Sequence, residues 1–309
     1  MTRLIIDTDP GVDDAHAILL GFAHPDAQIE AICTVAGNVS LERTTANACT
    51  ILDVLGVDVP VYPGCDGAII RAPHDAAYVH GDDGLGNSHY PPARHQPESE
   101  HAVLALIRLA NESPGELTLC AIGPLTNLAL ATRLDPSLPQ KYKRLVVMGG
   151  AIRGMGNMAA NPSAEFNAWT DPEAAAIVFE NWPGLELVSW ETTMAYGIPP
   201  EDVDKLMSAP TPRGEFFRKI TRNTLEMIER LLNRKMLFAP DPLAVAIAIE
   251  PDLVRHSERR YVQVEPSGSS TRGQTTVDWF GLTQREPNIN LILEVDRDRF
   301  WERMLASVE

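Results

Sequence analysis

The sequence is short of several things that would have marked out a role. Positive charge is one: 26 Lys and Arg face 42 Asp and Glu, a formal net charge of −16 over 309 residues. A surface of that sign repels nucleic-acid backbones and anionic lipid headgroups, so no nucleic-acid partner and no membrane partner is expected, and a small or neutral molecule is. Cysteine is another. Cys33, Cys49, Cys65 and Cys120 form no C-x-x-C pair and have no histidine at zinc-like spacing. In a chain too large to need staples, reduced and partly buried thiols are expected. No apolar run is long enough to span a bilayer, and the opening Met1-Thr2-Arg3-Leu4-Ile5-Ile6 enters a strand-like segment without a signal-peptide layout. A cytoplasmic protein is expected. Low-complexity linkers and internal repeats are also lacking, which favours one domain over 1–309.

What is present is a globular composition, 44% hydrophobic and 22% charged, able to bury a large core. Short β-type runs alternate with helical periodicity through the first two-thirds of the chain. Strands are predicted at 4–6, 29–35, 59–62, 117–122, 145–148 and 185–188, and helices near 13–23, 41–55, 100–111, 125–133 and 172–179. This rhythm predicts an α/β fold: a Rossmann-like, mostly parallel central sheet flanked by helices. Ligands bind such sheets beyond the carboxyl ends of the strands, so polar residues just after each strand are the ones to inspect. Past Ile198 the pattern turns helical, with amphipathic stretches at 215–232 and 242–249, before strand-like 261–264 and 289–295. A helical annex over roughly 199–250 is expected within the single domain. The irregular segment 63–97 is too long for an idle connection and is expected to be a mobile active-site loop.

The densest chemistry lies where the first strand stops. Asp7-Thr8-Asp9-Pro10-Gly11-Val12-Asp13-Asp14 puts four carboxylates within eight residues. Capping and the helix dipole account for one or two acids in a first helical turn. Four crowded carboxylates call for a positive partner, and a hard cation with oxygen ligands supplies it, Ca²⁺ in preference to Mg²⁺ if carbonyls share the shell.

That octapeptide resembles the amino-terminal signature of the inosine-uridine-type nucleoside hydrolases. Val35-Ala36-Gly37-Asn38, Gly123-Pro124-Leu125-Thr126-Asn127 and Ala164-Glu165-Phe166-Asn167 followed by Asp171-Pro172-Glu173-Ala174 resemble the family's later motifs, in the family's order. The resemblance covers nearly the whole chain and thins over 199–234 and 255–309. It implies the nucleoside hydrolase fold, a nucleoside substrate, a calcium cofactor and a homodimer or homotetramer. By similarity Asp9, Asp14, the Thr126 carbonyl and Asp241 hold the ion, and Asp9 is the base that takes a proton from water. Asp13 accepts from a ribose hydroxyl with Asn38 close by, and Asp7 orients the others. Glu165 and Asn167 grip the ribose; two apart, they share one side if the segment is extended, while Asp171 caps a helix. An asparagine upstream serves the 5′-hydroxyl side, a role for which Asn157 and Asn161 compete.

One departure stands out. A well-known branch of the family has a histidine immediately before the last metal aspartate, where this chain has Pro240, which cannot donate a proton. His80, in Val79-His80-Gly81-Asp82-Asp83, is the first candidate to bind and activate the leaving base, with Arg230, Asn233 and Arg234 as others. Trp279 could stack on the base, or fill a core or interface. Two rival readings remain at this stage. An aspartate-nucleophile phosphohydrolase also opens on a strand ending in Asp-x-Asp, with Asp7 as nucleophile, but leaves Ala164-Glu165-Phe166-Asn167 unexplained. A noncatalytic nucleoside-binding protein accommodates Pro240, but has little need of a base beside a metal ion.

Overall fold

The run Leu4-Ile5-Ile6 is apolar at every position because the strand that carries it is covered on both faces; all three side chains are fully buried. The computed structural model describes residues 1–71, 74–233 and 236–309. Its strands are β1 (Thr2–Thr8), β2 (Ala27–Thr34), β3 (Val61–Pro63), β4 (Leu117–Ala121), β5 (Arg144–Met148), β6 (Leu185–Val188), β7 (Val254–Arg260), β8 (Val262–Val264), β9 (Thr275–Val277) and β10 (Ile289–Val295). Eight of them form one sheet in the order β3-β2-β1-β4-β5-β6-β10-β7. The pairings are parallel except at the edge, where β7 runs antiparallel to β10. The mostly parallel sheet read from the sequence is thus the observed one.

The helices are α1 (Val12–Ala23), α2 (Leu41–Leu55), α3 (Ala77–His80), α4 (Ala102–Glu112), α5 (Thr126–Leu134), α6 (Phe166–Thr170), α7 (Pro172–Asn181), α8 (Trp190–Ala195), α9 (Pro200–Ser208), α10 (Pro212–Leu232), α11 (Pro240–Ile249) and α12 (Arg297–Ser307). Strand alternation divides the core in two. Leu4, Ile6 and Ile32 pack with α1, α2, α10, α11 and α12 on one face, and Ile5, Ala31 and Cys33 pack with α4, α5 and α7 on the other. Every residue of α11 is buried. The stretch expected as a helical annex therefore divides, with α11 inside the core and α9 and α10 laid over it.

Two strands escaped the sequence reading. β7 reads Val-Arg-His-Ser-Glu-Arg-Arg and is half-buried at most, as a charged edge strand that discourages further pairing should be. β9 is three residues long and pairs with β8, so the strand-like 261–264 belongs to a separate two-stranded sheet. Within the segment 63–97, residues 79–86 are tied to α2 and α10 by hydrogen bonds. Asn47 Nδ2 donates to the carbonyls of Pro10 and Asp83, both at 2.9 Å. From α10, Thr224 Oγ1 donates to Val79 O at 3.1 Å and Asn223 Nδ2 to Gly86 O. Gly86, at φ +67°, lies so close to α10 that a Cβ there would stand 2.0 Å from the Ile220 carbonyl.

Candidate active site

The sheet order changes direction at β1, which has β2 on one side and β4 on the other. A crevice opens beyond the carboxyl ends of strands at such a switch point. Here it is a cavity of about 300 Å³ whose lining includes Asp13, Asn38, His80, Asn157, Glu165, Asn167 and Asp241. Asp13 comes from the first turn of α1, Asn38 from the segment after β2, and Asp241 from the first turn of α11. Carboxylates more than two hundred residues apart in sequence thus meet at one sheet edge.

Asp13, Asp14 and Asp241 each present an oxygen within 4.8 Å of the others. Asp14 is held on both oxygens: Oδ1 accepts from Thr8 Oγ1 at 2.5 Å, and Oδ2 from Gly11 N at 3.0 Å and Asn38 Nδ2 at 2.9 Å. Asp9 stands beside the trio, cradled between two glycines. A Cβ on Gly37 would lie 2.1 Å from its Oδ2, and one on Gly123 2.6 Å from its Oδ1. Burial first, and the Asp14 carboxylate next, push Asp9 well above the ordinary carboxylate range. Burial and the charges of Asp13, Asp14 and Asp9 do the same to Asp241, and burial lifts Asp13 to about 6. Asp9 Oδ1 and Asp13 Oδ1 are buried without a hydrogen-bond partner. Oxygen-only donors, crowded and partly orphaned, fit a hard divalent cation such as Ca²⁺.

Of the other ligands implied by resemblance, Thr126 opens α5 at the same sheet edge but does not line the cavity, and its hydroxyl donates to Asp171 Oδ2 at 2.7 Å. Asp7 is fully buried with Oδ2 accepting from Asn127 Nδ2 at 2.8 Å, and it is outside the lining.

Glu165 and Asn167 both reach the cavity, though not as neighbours on an extended segment. Glu165 is the N-cap of α6 and Asn167 lies inside that helix, so the expected two-residue alternation is corrected. The Glu165 carboxylate accepts backbone N–H groups of Asn167 at 2.9 Å, Ala168 at 3.1 Å and Gly150 at 2.8 Å. Burial nonetheless raises it to about 7. Asn167 Nδ2 donates to Ile122 O at 2.9 Å, tying α6 to the end of β4. The two competing asparagines differ in their placement. Asn157 lines the cavity, whereas Asn161 spends its amide on Arg272 O and Ser163 N, at 2.9 and 3.1 Å, away from it.

Much of the remaining lining is apolar and aromatic, with Tyr78, Phe166, Trp190, Met227, Ile228 and Phe238 among it. Trp190 and Phe238 meet at 5.7 Å between ring centroids, tilted by 54°. Trp279, for which base stacking and a core or interface place were both open, packs half-buried against the second core. Arg230 is exposed and pairs with Glu226 at 3.9 Å, and neither it nor Asn233 lines the cavity; Arg234 lies outside the described residues. Trp190 was within reach of the strand-end rule, two residues past β6. Phe238, Met227 and Ile228 carried no signal, since apolar residues at helical spacing read as core. His16 was also missed. It is buried, stacked on Phe217 at 4.0 Å, with Nε2 2.8 Å from Thr221 Oγ1, and burial lowers it to about 3.

Comparison with known proteins agrees with this geometry. The family model described as inosine-uridine preferring nucleoside hydrolase matches residues 4–302. The pyrimidine-specific ribonucleoside hydrolase RihB of Escherichia coli (strain K12) is 35% identical over 301 residues, 97% of this chain and 94% of that protein. Among solved structures, an inosine-guanosine nucleoside hydrolase superposes with a TM-score of 0.90 at 33% identity, covering 100% of this chain and 99% of that one. The purine-preferring ribonucleoside hydrolase from Gardnerella vaginalis gives 0.91 at 29% identity, covering 99% and 98%.

Proposed function

The chain belongs to the inosine-uridine preferring nucleoside hydrolase family and is a ribonucleoside hydrolase, and from that premise we propose that it cuts the N-glycosidic bond by a calcium-dependent mechanism with Asp9 as base. One observation carries the proposal: Asp13, Asp14 and Asp241 converge to within 4.8 Å with the partly unpartnered Asp9 beside them, and Asp13 and Asp241 line a cavity of about 300 Å³ while Asp9 and Asp14 are buried behind its lining.

Asp9, Asp14, Asp241 and the Thr126 carbonyl would hold the ion, which supplies the positive charge that orients a water and makes it more acidic. Asp9 takes that water's proton as attack on the anomeric carbon begins. Its Oδ2 is fixed by Asn38 N at 2.7 Å, which leaves Oδ1 for the proton. Asp13, on the cavity side of the cluster, accepts from a ribose hydroxyl, and Asn38, Asn157, Glu165 and Asn167 orient the sugar. The acid cluster stabilises the positive charge that develops on the ribosyl ring. The apolar wall receives the base, with Trp190 and Phe238 as stacking partners.

A nucleoside panel assayed for reducing sugar tests this, with and without a calcium chelator and with calcium restored. Ribose release that stops with chelator and returns with calcium supports the proposal. Release indifferent to the chelator removes the ion from it, and no release from any purine or pyrimidine ribonucleoside refutes it. The same panel ranks the bases.

A further inference from the structure

His80 meets the cavity with its proton already assigned. The backbone N–H of Val12 donates to His80 Nδ1 at 3.1 Å. An imidazolium has no acceptor and cannot take that bond, so the ring is neutral and its hydrogen sits on Nε2. Asp13 Oδ1, 3.7 Å from the same Nδ1, is beyond hydrogen-bond reach and does not compete. The backbone that carries the ring is also held. Gly86 N donates to His80 O at 2.7 Å, and α10 holds the flanking carbonyls of Val79 and Gly86 through Thr224 and Asn223. Nε2 is separated from Nδ1 by Cε1 alone, and no atom of the described residues accepts a hydrogen bond from it. His80 itself lines the cavity, its side chain 9% exposed.

We propose that His80 acts in the reaction as a fixed hydrogen-bond donor, through Nε2–H, to the departing base, and not as the acid that protonates it. This rests on the ribonucleoside hydrolase reading above. Every nucleobase has an acceptor beside its glycosidic nitrogen, the O2 carbonyl in pyrimidines and N3 in purines. As the C1′–N bond breaks, its electron pair passes to the base and the charge spreads onto that acceptor. The water oxygen bonds to C1′, its proton goes to Asp9, and the base anion takes a proton from bulk water after release. The proton on His80 Nε2 stays in place. A hydrogen bond that strengthens as charge develops raises kcat more than it tightens substrate binding, and a neutral imidazole can supply it. It also explains how a site without a proton donor at Pro240 can release a poor leaving group.

The test pairs a spectrum with kinetics on the full-length protein. With ¹⁵N-histidine labelling, His80 should give the signature of the neutral Nε2–H tautomer at neutral pH. His80→Leu should lower the kcat ratio of uridine to p-nitrophenyl riboside by about a hundredfold, because nitrophenolate departs without help. His80→Gln, which donates a hydrogen bond but transfers no proton, should restore that ratio to within about tenfold of the wild type. An imidazolium or Nδ1–H signature, or a Gln variant as impaired as the Leu variant, overturns the proposal. The spectrum needs no turnover, so a protein that releases no ribose would sink the hydrolase reading while the state of His80 is still decided.

Discussion

The backbone amide of Asn38 donates to Asp9 Oδ2 at 2.7 Å, and the other oxygen of that carboxylate is buried without a partner. One half of Asp9 is thus fixed by the fold and the other half is free for chemistry. Asp9→Ala should lower turnover of inosine or uridine by about a thousandfold, the range of a lost general base. It should not unfold the protein. In the absence of divalent ions it should melt no lower than the wild type, because one of several crowded buried carboxylates has gone. Steady-state kinetics and calorimetric melting in a chelator check both halves, and turnover within tenfold of the wild type would remove Asp9 from its assigned role.

Two glycines separate site geometry from backbone strain. At Gly37 an added Cβ would lie 2.1 Å from Asp9 Oδ2, whereas at Gly56, with φ +66°, it would meet nothing within 4 Å. Gly37→Ala should displace Asp9 and weaken calcium binding by at least about tenfold, as disturbing the setting of a metal ligand does. Gly56→Ala should cost about 1 kcal/mol of stability and leave calcium affinity alone. Calcium titration calorimetry and urea melts on both variants read the contrast. Equal effects on affinity would mean that the close approach to Asp9 does not matter.

Much of this site was legible because its parts follow strand ends. The mostly parallel sheet was predicted from apolar runs separated by helical periodicity, and residues after β1, β2 and β4 are where Asp9, Asn38 and Ile122 stand. The acid cluster was legible because four carboxylates in eight residues are costly without a cation. What could not be read has a common physical cause. The condition that Glu165 and Asn167 lie on an extended segment fails because they open a five-residue helix, which is too short a period to detect. That Asn157 lines the cavity and Asn161 does not follows from which amide the fold consumes, which no local pattern carries. The aromatic wall was hidden because Trp190 and Phe238 come from separate segments, and nothing local says that they meet. β7 was invisible because an edge strand filled with Arg, Glu and His has no apolar alternation to read.

Asn127 joins three segments through one amide. Its Nδ2 donates to Asp7 Oδ2 at 2.8 Å and to Thr34 O at 3.0 Å, and its Oδ1 accepts from Cys65 N at 2.9 Å. It is fully buried, so no water replaces it easily. Asn127→Ala should leave three buried polar groups unpaired and cost about 3 kcal/mol or more, read as a lowered urea midpoint. Asn127→Asp should be worse, since it sets a carboxylate against Asp7. A midpoint unchanged in the Ala variant would show that this junction is not needed to hold the end of β1 to the start of α5.

Acid should reveal a different carboxylate, far from the site. Glu250, after α11, accepts from Arg303 Nε at 3.0 Å and from Arg299, with His24 Nε2 at 3.3 Å, and so ties α12 and the end of α1 to α11. Burial alone would raise its pKa, but the hydrogen bonds from Arg303, Arg299 and His24 outweigh burial and hold it at about 2, against an ordinary 4.5. A carboxylate with a depressed folded-state pKa stabilises the protein above its unfolded value, and that contribution fades as the pH falls toward the folded one. The window is therefore from 4.5 down to about 2. Glu250→Gln should cost about 1–2 kcal/mol at neutral pH, a figure reduced for the partly exposed arginines. The difference from the wild type should shrink through that window and vanish at its acid end. Because both proteins carry the same acid cluster, its titration cancels in the comparison. Paired urea melts across the window check the sign, and a gap that widens on acidification would show that the charge on Glu250 does not stabilise the fold.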